Sequence, residues 1–189
     1  MWNHIVCRTN HPYAPFTHFE VASSTWLLAQ KLFPDALAAT LMPNHLHLIV
    51  PASTANVTNE KMGALMGAVC KTVRITKLWQ QLPSPNHIPD CHHLKRQIRY
   101  VALNPCRKHL VKDPLEWVWS TYRDCVGASK NSWVSSRRLV HAFREPERGF
   151  CVRFHSYVSG DPSTAVTGTP YPHAHRPGAF AEKSILTIL

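Results

Sequence analysis

The stretch MPNHLHLIV, residues 42–50, is a short apolar run with two histidines inside it. The run has the length and apolar character of a core strand. Successive side chains of a strand point to opposite faces, so His45 and His47 share one face with Ile49. Two neighbouring imidazoles form a chelating pair, since neutral imidazole is a common metal ligand. A hydrogen-bonded histidine pair on a half-exposed sheet gives the same pattern, and the stretch alone leaves both interpretations open.

Strand and helix patterns surround this run. Pro43-Asn44 is a turn pair, so residues 36–42 and 45–50 predict two strands of a hairpin. A first strand is expected at residues 4–8. Residues 83–90 are expected to form a loop, and residues 113–126 a helix or turn. Helical spacing of apolar residues predicts helices at 17–33, 58–82, 92–103, 134–144 and 147–158. The helix at 92–103 is expected to end at Asn104-Pro105, because proline disfavours helix in the residue before it.

These elements predict an α+β fold. We expect a ferredoxin-like antiparallel sheet with helices on one face, plus a small C-terminal helical appendage. The expected division is a catalytic domain at 1–127, the appendage at 128–158 and a flexible tail at 159–189, where Gly, Pro, Ser, Thr and Ala dominate.

Charge and composition indicate which classes of partner to expect. The 189 residues include 21 Lys and Arg against 11 Asp and Glu, a net charge of +10. Such a balance favours a polyanionic partner, because cations that neutralise phosphates release counterions, although a protein can also simply be basic. The six cysteines form no CxxC pair and suit a reduced protein. Without a leader pattern or an apolar run of about 20 residues, we expect a cytoplasmic protein with no membrane partner.

A second motif, RYVALNP at residues 99–105, adds chemistry to the histidine pair. Tyr100 and Asn104 are four residues apart and lie on one face of a helix. If that helix packs over His45 and His47, a hydroxyl nucleophile and an amide oxygen meet two imidazoles. Such a set would hold a divalent ion that stabilises charge on a phosphate while Tyr100 attacks the phosphorus. Tyr100 as an ordinary half-buried aromatic residue is the alternative.

MPNHLHLIV together with RYVALNPCRKHLV and PLEWVWSTYR resembles the REP-associated tyrosine transposases of the single-tyrosine HUH transposase superfamily. The family's His-hydrophobic-His motif matches His45-Leu46-His47, and its Tyr-x-x-x-Asn-Pro motif matches Tyr100 to Pro105. Its Trp-Ser-Ser-Tyr segment appears as WSTY at residues 119–122. The resemblance spans about residues 2–126. The usual Asn-Pro-Val-Arg-Ala becomes Asn-Pro-Cys-Arg-Lys here, with Cys106 and Lys108.

This resemblance implies a site-specific endonuclease that cleaves and rejoins hairpin-forming single-stranded DNA through a covalent 5′-phosphotyrosine. It implies Tyr100 as nucleophile and His45, His47 and Asn104 as ligands of Mg²⁺ or Mn²⁺, although imidazole ligands by themselves suggest zinc or another transition ion. The basic residues to search for phosphate contacts are Lys61, Lys71, Arg74, Lys77, Lys95, Arg96, Arg99, Arg107 and Lys108. Among them we predict DNA contacts for Lys71, Arg74, Arg96, Arg99 and Arg107.

Two other functions remain open at this point. One is a catalytically retired DNA-binding module of the same fold, and the other is a metal-dependent hydrolase in which the histidines activate water. No GxxxxGK[ST] phosphate loop occurs, so we expect no nucleotide cofactor. Spacing leaves open a monomer or a homodimer that places Tyr100 in the partner's metal site.

Overall fold

A computed structural model describes residues 1–160. Four strands of this region form an antiparallel sheet in the order β2-β3-β1-β4. The strands are β1 (Trp2–Arg8), β2 (Ala38–Met42), β3 (His45–Pro51) and β4 (Asn86–Ile88). The helices are α1 (Phe19–Leu32), α2 (Ala55–Val73), α3 (Cys91–Arg107), α4 (Tyr122–Cys125), α5 (Ser136–Phe143) and α6 (Phe150–Ser159). Short 3₁₀ helices occupy Pro15–Thr17 and Pro114–Glu116.

The hairpin predicted from MPNHLHLIV is present as β2 and β3. His47 of β3 pairs with Val6 of β1 and with Thr40 of β2. Directly paired residues of an antiparallel sheet project from the same face. The face that carries the histidine pair, called the histidine face below, therefore includes His4, Val6, Arg8, Thr40, His45, His47 and Ile49.

The two faces of the sheet carry different helices. Helix α3 packs on the histidine face, where the Thr40 hydroxyl donates to the Val101 carbonyl at 3.0 Å. On the opposite face Val50 lines a cavity with Val57 of α2 and with Phe33. Helices α1 and α2 also contact each other. The predicted α+β class with an antiparallel sheet is confirmed. Helices α1 and α2 lie on one face of the sheet, as expected, and helix α3 packs on the other face.

Helix α3 runs through Pro105, so the prediction that it ends at Asn104-Pro105 is wrong. Proline lacks the N–H that would bond the carbonyl four residues earlier, which is that of Val101. This carbonyl instead accepts the hydroxyl of Thr40. The tertiary bond satisfies the buried acceptor, and the helix continues to Arg107 with Asn104 still in helical conformation.

The WSTY segment closes the free edge of β2. The Leu41 amide donates to the Trp119 carbonyl at 2.9 Å, and the Thr121 amide donates to the Ala39 carbonyl at 3.0 Å. The Trp117 indole also donates to the Leu41 carbonyl at 2.9 Å. Residues 113–126 thus combine a 3₁₀ helix, an extended stretch and the short α4, where a helix or turn was predicted.

Two boundaries differ from prediction between α2 and α3. Helix α2 ends at Val73 instead of continuing to residue 82, because Arg74 adopts a left-handed conformation with φ 59°. The chain then returns to β1, where Trp79 bridges Thr9. The predicted loop at 83–90 contains β4, a three-residue edge strand that pairs with β1. Its shortness and flanking prolines hide the strand signal.

The last two helices pack on α3. The Lys95 ammonium lies 2.5 Å from Glu145, and the Arg99 Nε donates to the Tyr157 carbonyl at 2.9 Å. Leu139 and Phe154 belong to the same apolar core as the sheet residues. The division at residues 127 and 128 therefore stays a prediction, and the predicted tail lies, from residue 161, outside the described residues. No helix in the described part of the chain has the length and hydropathy needed to cross a membrane.

Candidate functional site

The two histidines of β3 lie side by side on the histidine face. Their ring centroids are 4.8 Å apart, and His45 and His47 are 3% and 2% exposed. The His45 Nδ1 lies 2.7 Å from the Asn44 amide oxygen, which accepts the Nδ1 proton. Within residues 1–160 the Nε2 of His45 makes no hydrogen bond, so its lone pair stays available.

Helix α3 brings Tyr100 and Asn104 to this pair. The Asn104 side-chain nitrogen lies 2.6 Å from the His47 Nε2. The Tyr100 ring centroid lies 5.8 Å from that of His47, nearly perpendicular to it. The Arg107 guanidinium lies 4.8 Å above the Tyr100 ring. The structure thus brings together all four residues that the sequence named as nucleophile and ligands.

Sequence reasoning missed two further members, His4 and Gln97. The His4 Nε2 lies 3.0 Å from the His47 Nδ1, and the Gln97 side-chain nitrogen lies 2.8 Å from the His4 Nδ1. Side chains alternate between the two faces along the predicted first strand, which places His4 and Arg8 on one face. This was the sequence signal for His4. Only the pairing register of β1 with β3 brings it to His47.

Burial keeps these imidazoles neutral. Desolvation lowers the pKa of His45 to about 3, and the nearby Arg8 and Lys108 charges add to this effect. Desolvation also lowers the pKa of His47 to about 2, with further contributions from His45, His4 and Arg8. The pKa of His4 is lowered to about 4 by burial. All three rings are neutral at pH 7, which is the form that binds metals.

The donor set fits a cation held by imidazole and amide groups. In the described part of the chain no three His, Cys, Asp or Glu side chains are arranged to hold a metal ion. The groups of this site that could hold a divalent ion are the neutral imidazoles of His45 and His47 and the side-chain amide of Asn104, and the Nε2 of His45 keeps an available lone pair. Imidazole nitrogens suit transition ions, and an amide oxygen suits Mg²⁺ or Mn²⁺.

The predicted DNA contacts divide into exposed and buried residues. Lys71, Arg74, Arg96 and Arg107 are exposed. Arg99 is only 5% exposed; its Nε donates to the Tyr157 carbonyl and its guanidinium stacks on the Tyr157 ring. This position does not favour a phosphate contact by Arg99. Arg8, which the sequence reasoning missed, and Lys108 lie close enough to His45 to lower its pKa, so they bring positive charge to the site.

Comparison with known proteins defines the class of fold. The chain is similar to a solved structure of a REP-associated tyrosine transposase bound to a REP hairpin, with a TM-score of 0.56. The two chains are 16% identical, and the match covers 70% of this chain and 82% of the other. No protein-family model and no curated protein matches. The fold of that transposase is therefore shared by this protein.

Proposed function

We propose that this protein is a transposase that cleaves and rejoins hairpin-forming single-stranded DNA. The observation that carries the proposal is the meeting of Tyr100 and Asn104 of α3 with His45 and His47 of β3 on one sheet face. The structural similarity to a transposase bound to a REP hairpin supports the same class of reaction and substrate. The protein is expected to act as a monomer or homodimer without a nucleotide cofactor.

Tyr100 is the proposed nucleophile. Its oxygen would attack a backbone phosphorus, the bond from phosphorus to the 3′-oxygen would break, and a 5′-phosphotyrosine would form. The phenol loses a proton and the leaving 3′-oxygen gains one. Because one phosphodiester replaces another, the reverse reaction rejoins strands without an energy source. Arg107 above the Tyr100 ring adds positive charge where the phosphate would approach.

His45, His47 and Asn104 are the proposed ligands of Mg²⁺ or Mn²⁺. When bound, such an ion would draw charge from the phosphate and stabilise its oxygens in the transition state. The protein's own contribution is to keep both imidazoles neutral by burial and to hold the Asn104 amide against His47. The exclusion of water from these rings strengthens their interactions with charge.

Positive charge around the site is expected to bind the DNA backbone. Replacing either Arg8 or Lys108 with glutamine should weaken hairpin binding and lower the slope of log affinity against log salt by about 1, because one phosphate contact is lost. Fluorescence anisotropy with a labelled hairpin at several salt concentrations measures both quantities. Lys31→Gln is the matched control, since Lys31 is exposed in the last turn of α1, away from the histidine face. Equal salt slopes for all three variants and wild type would exclude Arg8 and Lys108 from the DNA interface.

A denaturing gel of the protein with labelled hairpin oligonucleotides from the flanks of its gene tests the proposal. The reactions contain Mg²⁺ or Mn²⁺, and a parallel set contains a chelator. We expect a protein-linked DNA band with metal and none with chelator. Cleavage without a linked band would replace the proposal by a hydrolase that activates water. Binding to several flanking hairpins without cleavage, with both metals, would instead identify a retired DNA-binding module.

A further inference from the structure

We infer that His4 and Gln97 are positioning residues that fix which nitrogen of His47 carries its proton and so prepare His47 to bind a divalent cation. The inference rests on the proposed function, since it deepens the role of the same site. Neither residue belongs to the sequence motifs from which the site was predicted. Both are reached only through the packing of β1 and α3 on β3.

A continuous chain of hydrogen bonds joins these residues to the proposed ligands. Gln97 bonds the His4 Nδ1 at 2.8 Å, the His4 Nε2 bonds the His47 Nδ1 at 3.0 Å, and the His47 Nε2 bonds Asn104 at 2.6 Å. The His4 and His47 rings stack with centroids 5.2 Å apart and planes 15° from parallel. His4, His47 and Asn104 are buried, so water does not replace these partners.

The number of protons restricts this chain. Each of the three hydrogen bonds needs one proton between its two atoms, and two neutral imidazoles supply two protons. One terminal amide must therefore donate and the other must accept. Both amide nitrogens face the rings, which is one donor too many, so either Gln97 or Asn104 turns its amide by a half-rotation to present oxygen.

The two arrangements differ at the nitrogen that would face a cation. If Gln97 accepts from His4, the His47 proton lies on Nδ1 and its Nε2 keeps a lone pair. If Gln97 donates, His4 donates to the His47 Nδ1 and the proton of His47 lies on Nε2. Only the first arrangement lets the His47 Nε2 bind a metal.

His45 indicates which arrangement applies. Its Nδ1 bonds the Asn44 amide oxygen, which leaves the Nε2 lone pair available. With Gln97 as an acceptor, His47 would be held in the same way, by Nδ1 on an internal partner with Nε2 toward Asn104. Imidazole ligands of metals generally donate their other N–H to such a partner, which fixes the ring and its tautomer.

The position of Gln97 on α3 fits this role. Gln97, Tyr100 and Asn104 are spaced three and four residues apart, so they share one face of the helix. One rigid helix thus presents the acceptor for His4, the proposed nucleophile and the proposed third ligand.

Binding of Mn²⁺ alone, measured by titration calorimetry, tests the inference without turnover. Gln97→Met removes the acceptor, and His4→Phe interrupts the chain; each should weaken Mn²⁺ binding by about 10- to 100-fold. Gln97→Glu keeps an acceptor oxygen and should bind at least as tightly as wild type. Gln81→Met is the matched control, because Gln81 is exposed, and it should bind as wild type does. Thermal unfolding establishes that each variant is folded.

Nitrogen-15 NMR of the metal-free protein gives an independent readout. The His47 proton should reside on Nδ1 in wild type and in Gln97→Glu. A proton on Nε2 in wild type would overturn the inference. The inference would also be overturned if Gln97→Met and His4→Phe bind Mn²⁺ as wild type does while His47→Ala does not. The proposed function would then stand. Mn²⁺ binding with the expected losses but no DNA adduct would support the inference and overturn the proposed function. A wild type that binds no Mn²⁺ would overturn the inference, and the adduct gel with Mg²⁺ or Mn²⁺ would decide the proposed function separately.

Discussion

Replacing Tyr100 with phenylalanine should abolish the covalent protein–DNA band and strand cleavage, a loss of more than about 10⁴-fold, as for other removed nucleophiles. The change deletes only the hydroxyl that would attack phosphorus. The remaining ring can still contact His47 and lie beneath Arg107, so the fold and the metal ligands should be retained. Within residues 1–160 the Tyr100 hydroxyl makes no hydrogen bond that its loss would break. Hairpin affinity should therefore change by less than about threefold, since a neutral hydroxyl releases no counterion.

Tyr13→Phe is the matched control for this experiment. Tyr13 is 39% exposed, and its contact with Thr9 uses the Tyr13 backbone carbonyl and not its hydroxyl. This variant should form the adduct at the wild-type rate. The readouts are a denaturing gel for the adduct and anisotropy for binding. Metal-dependent cleavage that persists in Tyr100→Phe would mean that water attacks the phosphate and that the histidine pair serves a hydrolase.

The features that sequence predicts well are those fixed by short-range periodicity. Strand alternation places His45 and His47 on one face, and the Pro43-Asn44 turn makes the neighbouring strand a hairpin partner. Helical spacing likewise places Tyr100 and Asn104 together. These rules need no knowledge of the rest of the chain, which is why half of the proposed site follows from each motif.

The features that sequence does not predict depend on long-range packing. The hydrogen bond between His4 and His47 requires the register of two strands that are far apart in the chain. Pro105 usually ends a helix, but Thr40 of β2 satisfies the carbonyl that proline leaves unpaired. Arg99 belongs by composition to a basic helix, yet α6 covers it. In each case a contact between distant elements overrides a local preference.

Lowering the pH from 7 to 5 should destabilise the fold by several kcal/mol. Burial holds the pKa values of His4, His45 and His47 at about 4, 3 and 2 in the folded protein, against about 6.5 in an unfolded chain. Well above pH 6.5 both states leave the rings neutral, and these groups give no pH dependence. Below pH 6.5 the unfolded chain binds protons that the folded protein excludes, so the free energy of unfolding falls as the pH falls.

Each ring contributes about 2 kcal/mol of this loss at pH 5, and the three together about 6 kcal/mol. That is a large part of the roughly 5–15 kcal/mol that stabilises a typical domain. Urea unfolding followed by tryptophan fluorescence at pH 7.5, 6 and 5 measures the loss. Between pH 6 and 5 the slope should approach about 1.4 kcal/mol per pH unit for each buried ring.

The variant His47→Gln separates this ring from the other titrating groups. Glutamine keeps an amide near His4 and Asn104 but takes up no proton, so about a third of the histidine-dependent loss should disappear. His141→Gln on the exposed face of α5 is the control and should lose stability as wild type does. Parallel curves for wild type and His47→Gln would mean that His47 binds its proton equally well in both states. The inference that both imidazoles are neutral would then be wrong. The electrostatic basis for a metal site at His45 and His47 would be lost with it.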